Sequence, residues 1–281
     1  MAALSALRTD LQKRFQDSSG NFLSATPANQ FINNAVEDFV NQTEPLWREY
    51  GWYVTAKQQR YDLPSDHMKL KTLTWYQNGR FNVDYIPPKE FQLRGYLDKD
   101  TSRANPEYFT IVDNDIYLGP APSTTSNTTT MNDAGGISAT DTSVITTDGT
   151  KFQSPGGLIL IESEQIAYQN LATNTLSLLL RAQGGTAAAT HADGTTIKRM
   201  DLVAVYHYTA PTLSADADVP AIDTRWHRMV LHHALASALK MGGRDEAATI
   251  EMQYYEKKVL DAKREIRRVQ RDRLTFLRNV Y

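Results

Sequence analysis

The chain has 281 residues, enough for two ordinary domains that each bury a core, and its 41% hydrophobic and 22% charged residues are typical of globular proteins. No apolar run approaches the roughly 20 residues that a membrane-spanning helix requires, and the absence of cysteine excludes disulfides, thiol nucleophiles and thiolate zinc sites. The formal net charge is −2, but residues 257–278 carry nine Lys and Arg against three acidic residues, so positive charge is concentrated near the C-terminus.

Two amphipathic helices are predicted at the N-terminus. Leu4, Leu7, Leu11 and Phe15 recur at helical spacing. A second apolar stripe runs over 26–42, with Thr26 as the expected N-cap and Pro27 at the first helical position. Each helix presents one apolar face, so both are expected to contribute to a core.

From Trp52 the apolar period changes to two, which is typical of β-strands. We interpret the successive runs as an antiparallel sheet in the form of a meander; the runs are 52–56, 60–63, 68–76 and 80–86. Pro87-Pro88 predicts a short helix over 89–95. Asp113-Asn114 predicts a hairpin between strands 108–112 and 115–118.

Residues 123–200 interrupt this pattern. Residues 123–143 are rich in Thr, Ser, Asn and Gly and predict a linker with too few apolar residues for a core. Residues 143–199 predict a small all-β barrel or sandwich. Because a longer surface loop adds little closure entropy, we interpret 123–200 as a domain inserted at a hairpin tip, and 1–122 with 201–281 as one discontinuous domain.

Two helices are predicted at the C-terminus, the first over 224–241 with Asp223 as its N-cap and Gly242-Gly243 closing it. The second, over 245–279, carries apolar residues that step alternately by four and three and would extend about 50 Å. We expect its last turns to project and meet another chain. The predicted fold class is therefore α+β: a helical bundle of two N-terminal and two C-terminal helices with an antiparallel sheet, plus the inserted β domain.

The sequence offers no arrangement typical of catalysis. His227, His232 and His233 share a predicted helix but lack the H-E-x-x-H spacing of a zinc site. There is no G-x-S-x-G turn, carboxylate pair or phosphate-binding glycine pattern. We therefore predict a protein that is not an enzyme and that binds no metal or cofactor.

The basic end of the last helix leaves three interpretations open: a solvated face, a nucleic-acid patch, or a helix that docks into an acidic groove of another protein. Apolar residues among the arginines favour the protein contact, because arginine and aromatic anchors are enriched at interfaces. The basic residues are Lys257, Lys258, Lys263, Arg264, Arg267, Arg268, Arg271, Arg273 and Arg278.

Two ordered motifs resemble the head-to-tail adaptor proteins of tailed bacteriophages. They are Tyr61-Asp62-Leu63-Pro64-Ser65-Asp66 and, some fifty residues later, Ile116-Tyr117-Leu118-Gly119-Pro120-Ala121-Pro122. The returning strand over 201–211 and the helices over 222–281 follow in the order of that family. The resemblance covers residues 1–122 and 200–281.

The inserted segment resembles a recurrent β element of phage tail and virion proteins. It reads Glu164-Gln165-Ile166-Ala167-Tyr168, followed by Arg181-Ala182-Gln183-Gly184-Gly185-Thr186 and then His191, with Ala182 in place of the usual glycine. We assign the contacts of the inserted domain to Tyr168, Arg181 and His191.

The adaptor resemblance implies a ring, commonly dodecameric, that joins the portal of the phage head to the tail and continues the DNA channel. Its partners would be the portal, tail nozzle, tube or stopper proteins, tail fibres through the inserted domain, and the genomic DNA that passes through. It implies assembly in the host cytoplasm and a place in the neck of the virion. The portal-docking residues would be Arg264, Arg267, Arg268, Arg271, Arg273, Leu274, Phe276, Leu277 and Tyr281.

Three alternatives remain. A nucleic-acid-binding protein would use the basic helix on phosphates, with affinity that falls steeply with salt. Another structural protein of the tail or baseplate would share the same composition. An enzyme of the cell envelope would need a carboxylate pair, which the sequence does not show.

Overall fold

The computed structural model describes residues 2–17, 19–77, 79–96 and 103–279, with the side chains of the last helix described as far as Arg268. The chain divides into two compact units. We call Met1–Leu46 with Tyr208–Tyr281 the helical unit, and Trp47–His207 the β unit. The division at 122 and 201 inferred from the sequence stays a prediction.

Five α-helices are present in the described part of the chain, and they lie close to the predicted positions. They are α1 (Leu4–Phe15), α2 (Ala25–Thr43), α3 (Pro88–Leu93), α4 (Thr224–Met241) and α5 (Asp245–Asn279). Helix α2 begins at Ala25 after Ser24, so the expected N-cap at Thr26 is wrong. The Asp223 carboxylate accepts a hydrogen bond from the Arg225 amide, as a capping residue does. Gly243 has φ +69°, which lets the chain turn into α5.

One hydrophobic core holds the helical unit together. It receives the apolar stripes of α1, α2, α4 and α5, including Leu4, Ile32, Phe39, Ala234 and Tyr255. Each fully buried large side chain contributes about 1.5–3 kcal/mol relative to exposure. The apolar residues that recur at helical spacing in the sequence are the ones that form this core.

The β unit contains α3 and the strands. The strands are β1 (Trp47–Trp52), β2 (Arg60–Asp62), β3 (His67–Trp75), β4 (Phe81–Asn82), β5 (Asp84–Tyr85), β6 (Arg103–Ala104), β7 (Tyr108–Val112), β8 (Asp115–Gly119), β9 (Ala121–Pro122), β10 (Thr128–Thr130), β11 (Ser143–Ile145), β12 (Gly157–Ile161), β13 (Glu164–Tyr168), β14 (Asn170–Ala172), β15 (Thr175–Ser177), β16 (Leu180–Gln183), β17 (Thr196–Met200) and β18 (Leu202–Tyr208).

The expected meander is wrong. The first sheet has the order β1-β18-β3-β4, and a second has the order β2-β8-β7-β5, in which β5 and β7 are parallel. Strand β18 is buried along almost its whole length, as is typical of a central strand. In a meander β1 would pair with β2, but here it pairs with β18. The hairpin of β7 and β8 is confirmed, with Val112 opposite Asp115 and Asp113 at φ +56°.

Residues 126–200, which we call the β module, form a five-stranded sheet, β10-β17-β12-β13-β16, and a three-stranded sheet, β11-β15-β14. Both sheets contribute side chains to one core, and neither closes into a barrel in the described residues. The linker expected over 123–143 is in part wrong. Thr128–Thr130 pairs with β17, since threonine favours strands. Met131 and Ile137 are buried, so the few apolar residues of this stretch are enough to join it to the core.

Within the described ranges, no helix combines the length and the apolar character that crossing a membrane requires.

Candidate assembly surfaces

Helix α5 is anchored by its inner face. Tyr255, Val259 and Ala262 are buried against α2 and α4, and Ile266 is the last described residue that packs on this core. The Tyr255 hydroxyl donates a hydrogen bond to Oδ2 of Asp38 on α2 at 2.7 Å. Burial, followed by the hydrogen bond to the Asp38 carboxylate, raises the pKa of Tyr255, so the hydroxyl remains a donor. The predicted repeat is thus used within the chain as far as Ile266.

The outward face of α5 carries three exposed large apolar side chains. Ile250, Tyr254 and Leu260 are 54%, 57% and 56% exposed. At about 100° per residue, Ile250 lies opposite the buried stripe with Lys257 and Arg264. Tyr254 and Leu260 lie on its two sides, and the Tyr254 ring stacks on His232 of α4 with 6.0 Å between ring centres. Exposed apolar residues on a helix surface mark candidate interaction surfaces.

The basic end of α5 follows this face. The Arg264 side chain is 83% exposed, and its nearest described carboxylate is that of Asp261 at 3.9 Å. Arg267 and Arg268 are exposed. The helix backbone continues to Asn279, but the side chains of the next proposed docking residues, Arg271, Arg273, Leu274, Phe276 and Leu277, lie outside the described part. Tyr281 lies outside the described residues altogether.

The histidines of α4 each have a different environment. His227 is buried, with Nε2 at 3.1 Å from the Ile222 carbonyl oxygen. His232 Nδ1 lies 2.6 Å from Glu251 Oε2. Burial lowers the pKa of His233, against the opposing effect of Asp38. In the described chain no three histidine, aspartate or glutamate side chains group as metal ligands would.

In the β module, the residues assigned to contacts lie in the interior. Tyr168 is 2% exposed; its hydroxyl donates to the Gln153 carbonyl and accepts from the Gln153 amide. His191 is also buried and Arg181 is partly buried, and both bind Glu164. All three side chains make contacts within the module, and their assignment to contacts with a partner stays a prediction.

Glu164 is the centre of this internal network. Arg181 donates to both of its carboxylate oxygens, at 2.8 and 2.7 Å, and the amides of Ala182 and Ala189 donate to the same oxygens. Burial raises the pKa of Glu164, but the hydrogen bonds from Arg181, Ala189, His191 and Ala182 together outweigh it and lower the pKa to about 2. The carboxylate is therefore ionised at neutral pH.

His191 connects Glu164 to a second carboxylate. Its Nε2 lies 2.8 Å from Glu164 Oε2 and its Nδ1 2.8 Å from Glu162 Oε2. The His191 ring therefore links the two carboxylates in one hydrogen-bonded network with Arg181, and it lies in the loop between β16 and β17.

The β module is held against strand β1 by a close backbone approach. The Gln165 side chain accepts from the Gly51 amide and donates to the Gly51 carbonyl, both at 3.0 Å. A Cβ on Gly51 would come within 2.6 Å of Leu158 and 2.9 Å of Met200. Glycine is therefore required where the module packs on the first sheet.

Comparison with known proteins and families gives one match. No curated protein matches the chain significantly. The family model described as SU10 adaptor protein matches residues 2–280, nearly the whole chain. The chain therefore belongs to the SU10 adaptor protein family and is a structural adaptor protein of a phage.

Proposed function

We propose that this chain forms the ring that joins the portal of the phage head to the tail and continues the DNA channel, in the virion neck. One observation carries the proposal: α5 leaves Leu260, Arg264, Arg267 and Arg268 exposed, and its backbone continues to Asn279. A rod of several turns with arginine and apolar residues suits insertion against another protein. The expected assembly is a dodecamer.

The basic end of α5 is the proposed portal contact. It comprises Arg264, Arg267, Arg268, Arg271, Arg273, Leu274, Phe276, Leu277 and Tyr281. The arginines would meet acidic groups of the portal, and the apolar residues would fill pockets between its subunits.

The β module is the proposed platform for tail fibres or for the nozzle, tube and stopper proteins of the tail. Its exposed apolar residues include Leu178, at 59%, and Leu180, at 48%. Leu178 also has φ +55°, a conformation that is strained for leucine and that persists only where the surrounding fold fixes it. Tyr168, Arg181 and His191 remain the proposed contact residues of the module, and their hydrogen bonds to Gln153 and Glu164 would hold that surface in place.

Charge reversal at the described arginines tests the portal contact. The triple variant Arg264→Glu, Arg267→Glu and Arg268→Glu is expected to bind the portal protein of the same phage at least about tenfold more weakly, because repulsion replaces attraction. The matched control changes three exposed lysines elsewhere, Lys13→Glu, Lys57→Glu and Lys240→Glu, with the same change in net charge. Equal losses in both variants would contradict a specific portal contact.

The excess of basic side chains on α5 also supports a second candidate function, direct binding of nucleic acid. It predicts that the chain shifts bare duplex DNA in a gel and that the logarithm of the binding constant falls linearly with the logarithm of salt concentration. The adaptor proposal predicts weak DNA binding and retained portal binding in the same buffers. Tight, salt-sensitive DNA binding without portal binding would favour the second candidate.

A further inference from the structure

A groove of about 620 Å³ opens in the β unit beside strand β3. It is lined by residues 67–73 of β3, by residues 82–85, and by Phe109 and Ile111 of β7. None of these described lining residues belongs to α5 or to the β module. The groove is therefore separate from both surfaces to which partners have been assigned above.

Strand β3 presents an open edge to this groove. On the side away from β18, β4 pairs only with Thr74 and Trp75, and the Val83 amide donates to the Leu73 carbonyl. No other strand in the described part of the chain pairs with residues 67–72 on that side. Because the main-chain groups of every second residue point to the same side of a strand, the amide and carbonyl of Lys71 point the same way as the Leu73 carbonyl. An edge of this kind can pair with an extended segment of another chain.

One face of the open edge is apolar. Leu70 and Ile111 both pack at the margin of one hydrophobic core, to which Phe109 belongs. Tyr85 is 55% exposed, and its ring lies edge-on to the Phe109 ring with 5.5 Å between centres. Directly opposite residues of paired strands share a face, so a strand added to β3 would place every second side chain beside Leu70. Those positions of the added strand should be apolar.

The other face of the open edge is basic. Lys69 and Lys71 are exposed there, and Asp84 is the one carboxylate among the described residues that line the groove. If two copies paired through this edge in antiparallel fashion, lysines of both copies would share one face and repel each other. Lysine on an edge strand opposes self-association in this way. Charge therefore favours an acidic segment over a second copy of this chain.

We propose that the open edge of β3 binds an extended segment of a partner protein in which apolar and acidic residues alternate. The segment would pair antiparallel to β3, as β4 does. Its acidic side chains would lie opposite Lys69 and Lys71, and its apolar side chains beside Leu70 and Ile111. The inference goes beyond the proposed ring and does not depend on it, because the groove shares no described residue with the proposed portal contact.

Peptide binding to the full-length chain tests the pairing. The probe is a fluorescein-labelled peptide of alternating valine and glutamate, and binding is followed by fluorescence anisotropy. We expect saturable binding of this peptide and none of a valine–lysine peptide of equal length. In antiparallel pairing the glutamate amides donate to β3 and the valine amides point away. N-methylation of the glutamate amides should therefore abolish binding, whereas N-methylation of the valine amides should preserve it.

A charge reversal tests the basic face. Lys71→Glu is expected to bind the valine–glutamate peptide at least about tenfold more weakly, because repulsion replaces attraction. The matched control is Lys57→Glu, at an exposed lysine of the β unit that does not line the groove, with an expected change of less than about twofold. Equal losses in the two variants would overturn the assignment of the acidic positions.

Three other results would overturn the proposal. Failure of the valine–glutamate peptide to bind would show that the edge does not accept such a strand, and would leave the proposed ring untouched. Equal binding of the two N-methylated peptides would show that no strand pairing takes place. Dimers of the natural chain in sedimentation velocity that are lost in Lys71→Pro, which removes the amide facing the groove, would assign the edge to a second copy.

Discussion

Glu164 shows how a short motif in the sequence becomes a set of buried charges. Its partners Arg181 and His191 are separated from it by 17 and 27 residues along the chain, and the fold brings all three into hydrogen-bonding contact. The sequence indicated the pattern through its resemblance to other phage proteins. It did not indicate that these residues bind one another, because their contact depends on the register of β13 and β16 within one sheet and on the loop that carries His191.

We expect Glu164→Gln to destabilise the β module by about 3–5 kcal/mol, because Arg181 and His191 would stay buried without their carboxylate. Hydrogen exchange of the Ile166 amide in β13 would report the loss within the module. Glu162→Gln is the matched control; the Glu162 side chain is 59% exposed, and we expect it to cost about 1 kcal/mol or less. Equal losses in the two variants would contradict a central role for Glu164.

The same residue predicts how stability depends on pH. The pKa of Glu164 is about 2 in the folded chain, below the ordinary value of 4.5, so its contribution is complete above about pH 5. That contribution, on the order of 3 kcal/mol, is lost as pH falls from the ordinary pKa through the folded one. Acid titration of module stability should show this loss in the natural chain and a smaller one in Glu164→Gln.

Ala182 occupies the position where the resembling phage element has glycine, and its φ is +57°. A Cβ in this left-handed region costs about 1–2 kcal/mol, partly offset by the greater freedom of glycine in the unfolded chain. We therefore expect Ala182→Gly to raise the unfolding free energy of the module by about 0.5–1 kcal/mol, measured by urea denaturation. Ala187→Gly, at an exposed position without positive φ, should give no gain.

At the scale of elements, local signals predicted the helices well. Asp223 and Gly243 mark the boundaries of the hairpin formed by α4 and α5, and a cap or a left-handed turn acts within a few residues. The sheets were predicted less well, since the place of β18 beside β1 depends on residues 150–160 positions apart. The positions of the strands could be predicted from neighbouring residues, whereas the order of the strands in the sheets could not.

The hydrogen bond that anchors α5 to α2 can be tested at Tyr255. We expect Tyr255→Phe to lower the unfolding free energy of the helical unit by about 1–3 kcal/mol, because the hydrogen bond to the Asp38 side chain is lost. Tyr254→Phe is the neighbouring control, since its side chain is exposed on the outward face. A change of the same size in both variants would mean that the bond between α2 and α5 contributes little.

At the scale of the whole molecule, the sequence predicted a mixed α and β protein, but not how the β module is attached to β1; a separate inserted domain stays a prediction. Gly51 and Gln165 make that attachment, and the need for glycine at a close approach is visible only once the two surfaces are together. The role of the linker residues was also underestimated, because Met131 and Ile137 are part of the module core.

We expect a chain in which residues 123–200 are replaced by a short Gly-Ser linker to retain portal binding and to lose attachment of tail or fibre proteins. Gln165→Ala provides a second, milder variant that loosens the module on β1 while leaving every residue of α5 in place. Pull-down with portal and with tail proteins measures both activities. Loss of portal binding in both variants would contradict the proposed division between module and helix.

The most direct test of the account is electron microscopy of the full chain mixed with the portal protein of the same phage. The account predicts a ring of this chain bound to one face of the portal, with rods of density from α5 reaching between portal subunits. Isolated single copies, or a ring that binds the portal with α5 turned away from it, would contradict the claim that this helix ends in another protein.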